Sequence, residues 1–189
     1  VSTLPNSTGD AGSLTIKTNT LLVRDGAQVG AVTFGLGKGG NLSVDAQDVQ
    51  LIGTTTNGQF PSGLGVSAEE SLTGDAGSLT IKTNTLLVQD GAQVTADTFG
   101  AGKGGNVTVD AQNIQLIGRG ITDKLPSALT TSAHENSTGD AGNLTVTTNT
   151  LVVQNGAEVR TDTFGAGKGG NVSVNAQNVQ LIGKSTNNE

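Results

Sequence analysis

The stretch Gly9-Asp10-Ala11-Gly12-Ser13-Leu14-Thr15-Ile16 returns as Gly74-Asp75-Ala76-Gly77-Ser78-Leu79-Thr80-Ile81, and again as Gly139-Asp140-Ala141-Gly142-Asn143-Leu144-Thr145-Val146, each time 65 residues on. A fixed period of this kind marks a repeat architecture, in which one unit cannot bury its apolar side alone and stacks on its neighbours. A second marker, Gly37-Lys38-Gly39-Gly40-Asn41, keeps the same step at Gly102 and Gly167. It is a variant of the first, followed by Leu42-Ser43-Val44 where the first has Leu14-Thr15-Ile16. Each repeat is therefore two units, of 28 and 37 residues, the longer carrying an insertion. The repeats span 9–73, 74–138 and a truncated 139–189, with inserted loops near 54–65 and 119–130. Residues 1–8 read as the tail of a preceding repeat, and residues 1–189 as a single segment.

Apolar residues alternate within a unit: Leu14 and Ile16, then Leu21 and Val23, then Val29 and Ala31. Period-2 runs this short predict three half-buried strands per unit. Asp25-Gly26, Asp90-Gly91 and Asn155-Gly156 supply turn chemistry between them. Three strands in a unit of 28 residues, with no helical stretch, fit one coil of a parallel β-helix whose remaining path is the crossover. The expected fold is all-β: a β-solenoid of about six coils, spanning about 29 Å at a spacing of about 4.8 Å per coil.

Stacking turns equivalent positions into columns. One inward column reads Leu14, Leu42, Leu79, Val107, Leu144, Val172. Outward, Asp10, Lys38, Asp75, Lys103, Asp140 and Lys168 alternate in sign. So do Lys17, Asp45, Lys82 and Asp110, before Thr147 and Asn175 turn neutral together. Opposite charges one above the other contribute roughly 0.2–1 kcal/mol each, so both columns are expected to be structural charge ladders. Asn19, Gln47, Asn84 and Gln112 begin an amide column of the kind that hydrogen-bonds along stacked strands.

Composition narrows the function. The 189 residues carry 10 Lys+Arg against 16 Asp+Glu, a net charge of −6, with 29 Gly, four Phe and no Cys, Met, Trp or Tyr. The acidic balance gives no footprint for nucleic acid. No thiolate metal site or disulfide is available. No apolar run approaches the roughly 18 residues of a membrane span, so membrane insertion is not expected. Acids recur at repeated positions, whereas glycosidic catalysis needs one carboxylate pair at a set separation. The calcium-coiling repeat fails because Leu42 stands where Gly39-Gly40-Asn41 should be followed by glycine. A phosphate loop fails because Lys38 precedes Gly39 rather than Ser or Thr, with no helix after it. No catalytic, cofactor or metal residue is expected. Phe34, Phe99 and Phe164 read as packing, and His134, the single histidine, as an exposed loop residue. Phe60, with Leu125 at its counterpart, is expected to anchor its loop. The inserted loops, through Phe60, Pro61, Pro126 and His134, are the expected contact points for glycans or proteins.

The pattern G-D-A-G-x-L-T-I-x-T-x-x-L-x-V-x-D-G-A-x-V, followed by T-F-G-x-G-K-G-G-N-x-x-V-x-A-Q-x-V-Q-L-I-G, resembles the repeats of filamentous-haemagglutinin-type exoproteins across essentially the whole chain. The similarity is greatest to long cyanobacterial members, which carry a loop like Gly58-Gln59-Phe60-Pro61-Ser62-Gly63-Leu64. The resemblance implies a right-handed parallel β-helix, two-partner secretion through an outer-membrane pore, and a fibre at or beyond the cell surface. The family's secretion domain and any effector domain lie outside these residues, so a non-enzymatic, adhesive shaft segment is expected. Two alternatives predict different things: a carbohydrate-active or carbohydrate-binding β-helix with one acidic cleft, and a filament assembled end to end through free strand edges.

Overall fold

In a computed structural model, which describes residues 1–5, 7–69 and 74–183, the chain forms eleven strands and no helix among those residues. They are β1 (Leu14–Arg24), β2 (Gln28–Thr33), β3 (Leu42–Ile52), β4 (Gly63–Ala68), β5 (Leu79–Gln89), β6 (Gln93–Thr98), β7 (Val107–Ile117), β8 (Ala128–Ala133), β9 (Leu144–Gln154), β10 (Glu158–Thr163) and β11 (Val172–Ile182). Odd-numbered strands make a six-stranded sheet and even-numbered strands a five-stranded one, each in chain order and parallel throughout. The chain thus alternates between two sheets, the topology of a parallel β-solenoid. Register follows the repeat: Leu14 pairs with Leu42, Leu42 with Leu79, Leu79 with Val107, Val107 with Leu144, and Leu144 with Val172.

Mid-sized aliphatic side chains fill the space between the sheets, including Leu51, Val88 and Leu116 on the long strands and Leu64, Val94 and Leu129 on the short ones. Burial comes from the neighbouring coil. Val107 is 0% exposed, whereas Val172, the same position on β11 with a partner on one side, is 43% exposed. This is the nearest-neighbour logic of a solenoid, in which each interface contributes its own share of stability.

The structure corrects the expectation of three short strands per unit. Leu14–Ile16 and Leu21–Val23 belong to one strand of 11 residues, and β2 has 6. The facing pattern does break within the long strand. In β5, Ile81 and Thr83 face in, Asn84 and Thr85 both face out, and Leu86 faces in again. The ladder survives this corner because a hydroxyl bridges it. Thr83 Oγ1 shares its one hydrogen between the Gln47 carbonyl at 2.9 Å and the Thr85 carbonyl at 3.0 Å, and Thr148 does the same for Gln112 and Thr150. The amide column sits on this corner, where one side-chain pair bonds: Gln112 Nε2 donates to Asn84 Oδ1 at 3.4 Å.

The third side of the coil is the glycine-rich marker, which is not a strand. It is nonetheless bonded at every step. Ala11 N–H donates to Lys38, Gly39 to Asp75, Ala76 to Lys103, Gly104 to Asp140 and Ala141 to Lys168, all to backbone carbonyls at 2.7–2.8 Å. Two glycines per marker make this approach feasible. A Cβ on Gly102 would collide with the Gly74 carbonyl, and one on Gly105 with that of Gly77. The same holds up both columns.

The inserted loops are shorter than expected. Gly63–Gly65 and Ala128–Thr130 already pair in β4 and β8, so each excursion closes at Ser62 or Ser127. A bridge between Thr54 and Pro61, and another between Arg119 and Pro126, pinches the loop base. The fully buried Ser62 then donates to the Ile52 carbonyl at 2.7 Å and accepts the Gly26 N–H at 2.9 Å. Ser127 repeats both bonds with Ile117 and Gly91. Residues 1–3 run along β2: Ser2 bridges Val32, which pairs with Ser67 one coil on. The repeat boundary at residue 73 and the segment 184–189 lie outside the described residues.

Candidate functional site

Long strands of the six-stranded sheet repeat almost letter for letter, and the outward columns of the five-stranded sheet do not. One column runs Gln28, Gly63, Gln93, Ala128, Glu158 and the next Gly30, Gly65, Thr95, Thr130, Arg160. A third runs Val32, Ser67, Asp97, Ser132, Asp162. Beyond the strand ends the same side continues as Phe34, Glu69, Phe99, His134 and Phe164, each N–H after the first donating to the carbonyl that precedes its neighbour below.

Near β8 this face is filled. Ala128, Thr130 and Ser132 are all buried. Beside them on β10, Arg160 pairs with Glu158 at 3.2 Å and with Asp162 at 3.0 Å, while Arg119 reaches Glu158 from the second loop at 3.2 Å. His134 stacks on Phe99 with ring centroids 4.0 Å apart and planes 9° from parallel.

Near β4 the same face is open. Glycines at positions 30, 63 and 65 leave a groove of about 580 Å³. Its walls are side chains of β2 and β6, with Gln28, Gln93 and Pro61 at one end. Phe34, Glu69 and Phe99 lie at the other, beside Ser67 and Asp97. Ser67 Oγ donates to Glu69 Oε1 at 2.9 Å. Asp97 Oδ1 is enclosed without a hydrogen-bond partner, 3.7 Å from His134 Nε2.

The expected site residues separate. Of the loop candidates, Pro61 reaches the groove, and its carbonyl accepts a bond from Gln28 Nε2 at 3.3 Å. Pro126 holds Gln93 in the same way at 3.2 Å. Phe60 is exposed on its loop, away from the groove. His134 is half-buried in the aromatic column rather than on a free loop. Lys17, Asp45, Lys82 and Asp110 do stand one above another in register. Among the described residues, however, the ion pairs include none from either charge column. Asp10, Asp75 and Asp140 instead accept the backbone N–H of Lys38, Lys103 and Lys168 at 2.7–2.8 Å.

Reading the sequence for chemistry missed Gln28, Gln93, Glu69 and Asp97. The signal available was the contrast at one column, Gly30 against Thr95 against Arg160, in otherwise near-identical repeats. Comparison with protein-family models, curated proteins and solved structures finds no match to this chain.

Proposed function

We propose that the chain is a stretch of stiff shaft: a right-handed β-helix of about six coils within a secreted fibre at or beyond the cell surface, as its resemblance to filamentous-haemagglutinin-type repeats implies. The observation that carries this reading is the register. Strands pair at sequence-equivalent positions from β1 to β11, so adding a repeat adds length along one axis and changes nothing else. Each coil contributes about 4.8 Å. The coils bond on the glycine side as well as in both sheets, which opposes bending in every direction. Such a shaft is non-enzymatic, and its work is to hold binding surfaces away from the cell.

Immunogold electron microscopy with antibodies to this chain, on intact cells that make it, tests the proposal. Label on extracellular fibres is the expected result. Label confined to the cell interior would overturn it.

A further inference from the structure

We propose that the groove over β4 binds a neutral oligosaccharide, independently of whether the chain serves as a shaft. Four observations converge on this ligand class. First, the groove follows β4 from Pro61 to Glu69, about 25 Å at roughly 3.3 Å per residue, which suits several linked rings better than one. Its volume of about 580 Å³ is in the range of pockets that take small organic ligands.

Second, the opening at Gly65 is not demanded by the backbone, whereas at Gly63 and Gly30 an added Cβ would crowd the Gln93 and Gly65 carbonyls. The column that holds Gly65 carries Thr95, Thr130 and Arg160 in neighbouring coils with the same pairing. A Cβ on Gly65 would meet the movable Thr95 hydroxyl at 3.0 Å.

Third, the aromatic column shows what it accommodates. Between Phe99 and Phe164 stands the His134 ring, stacked on Phe99. Between Phe34 and Phe99 the corresponding residue is Glu69, which is not a ring and is engaged by Ser67. A pyranose face placed against either phenyl ring gains the same apolar contact.

Fourth, the polar groups suit hydroxyls and disfavour anions. Gln28 and Gln93 offer amides, and Ser67 stands between them and Glu69 along the floor. The charged side chains along the groove are Glu69 and Asp97, against one cation, the Val1 ammonium held by the Gly30 carbonyl at 2.9 Å, so uronates and phosphates meet more negative than positive charge.

Titration of the isotope-labelled 189-residue chain with cellohexaose and chitohexaose, followed by amide NMR, tests the assignment, with hexagalacturonate as the anionic comparison. Saturable shifts at Gly65, Thr95 and Phe99 are expected with a neutral probe. Gly65→Arg, which copies the side chain found at Arg160, is expected to weaken binding by at least about tenfold while leaving the remaining spectrum folded. Should that variant not fold, Phe99→Leu is read the same way. The proposal is overturned if neither neutral probe shifts these amides, if hexagalacturonate alone does, or if the folded variant binds as well as the parent. None of those outcomes touches the shaft reading, which rests on where the protein resides.

Discussion

Gly102→Ala is the sharpest probe of the stacking. Gly102 has no positive φ, so alanine is tolerable to its own backbone, and the whole effect comes from the new methyl group. That group would overlap the Gly74 carbonyl oxygen directly below. Relief requires the marker to lift away from the coil beneath, against the Ala76-to-Lys103 backbone bond at 2.8 Å and the Lys103-to-Asp75 bond at 2.8 Å. Overpacking costs about 1–3 kcal/mol. Two weakened hydrogen bonds add roughly 0.5–1.5 kcal/mol each. The expected loss is therefore about 2–6 kcal/mol, or a fall in Tm of about 5–20 °C for a chain of this size. Gly9→Ala is the matched control, because it holds the same place in the motif with nothing within 4 Å of its added Cβ. It should change stability by less than about 0.5 kcal/mol. Calorimetry gives the two melting temperatures, and hydrogen exchange reports protection of the Ala76 and Lys103 amides. If Gly102→Ala melts with the parent and both amides stay protected, the glycine columns are not a packing requirement and the argument fails.

Ser127→Ala should cost about 1–3 kcal/mol, since it orphans the Gly91 N–H in a buried site, while the Ile117 carbonyl keeps its bond from the Asp90 N–H; faster exchange at Gly91 would report it. Asp75→Asn should be nearly neutral, because the amide oxygen still accepts from Lys103 N–H, whereas Asp75→Ala should lose about 0.5–1.5 kcal/mol in urea melts. Lys103→Met should also be neutral, and a clear loss there would restore the ion-pair explanation of the alternating charges. Thr83→Val keeps the shape but drops both corner bonds, with an expected loss of about 1 kcal/mol by chemical denaturation.

The repeat made most of the fold legible. Leu14, Leu42 and Leu79 could be placed in one column from spacing alone, because in a solenoid spacing is register. The number of strands was less legible. Alternation breaks at Asn84-Thr85, which reads as a strand end, and no pattern of apolar residues reveals that the Thr83 hydroxyl carries the ladder round the corner. The groove was hidden for a related reason: Gly63 and Gly65 look like turn residues in sequence, and they become a floor through what β2 and β6 place on either side.

Where Asp10 meets Lys38, the carboxylate is engaged by the backbone N–H of the lysine. Every interface between markers carries at least one side chain that accepts a backbone N–H from the next coil. Asp10, Asp75 and Asp140 serve the steps from the first marker to the second. Asn41 and Asn106 serve the steps back, to Ser78 and Asn143, at 2.8 Å. An acceptor at the second position of one marker and the fifth of the other covers all five steps, and Asn143 adds a second bond at the last, accepting the Asn171 N–H at 2.9 Å. Lysine at the second position of the alternate marker contributes its backbone N–H to these bonds, so donor and acceptor alternate at that position up the rod. The glycine side and the six-stranded sheet fix the stacking, which leaves the outer face of the five-stranded sheet as the surface where Gly65, Thr130 and Arg160 can differ without disturbing the rod.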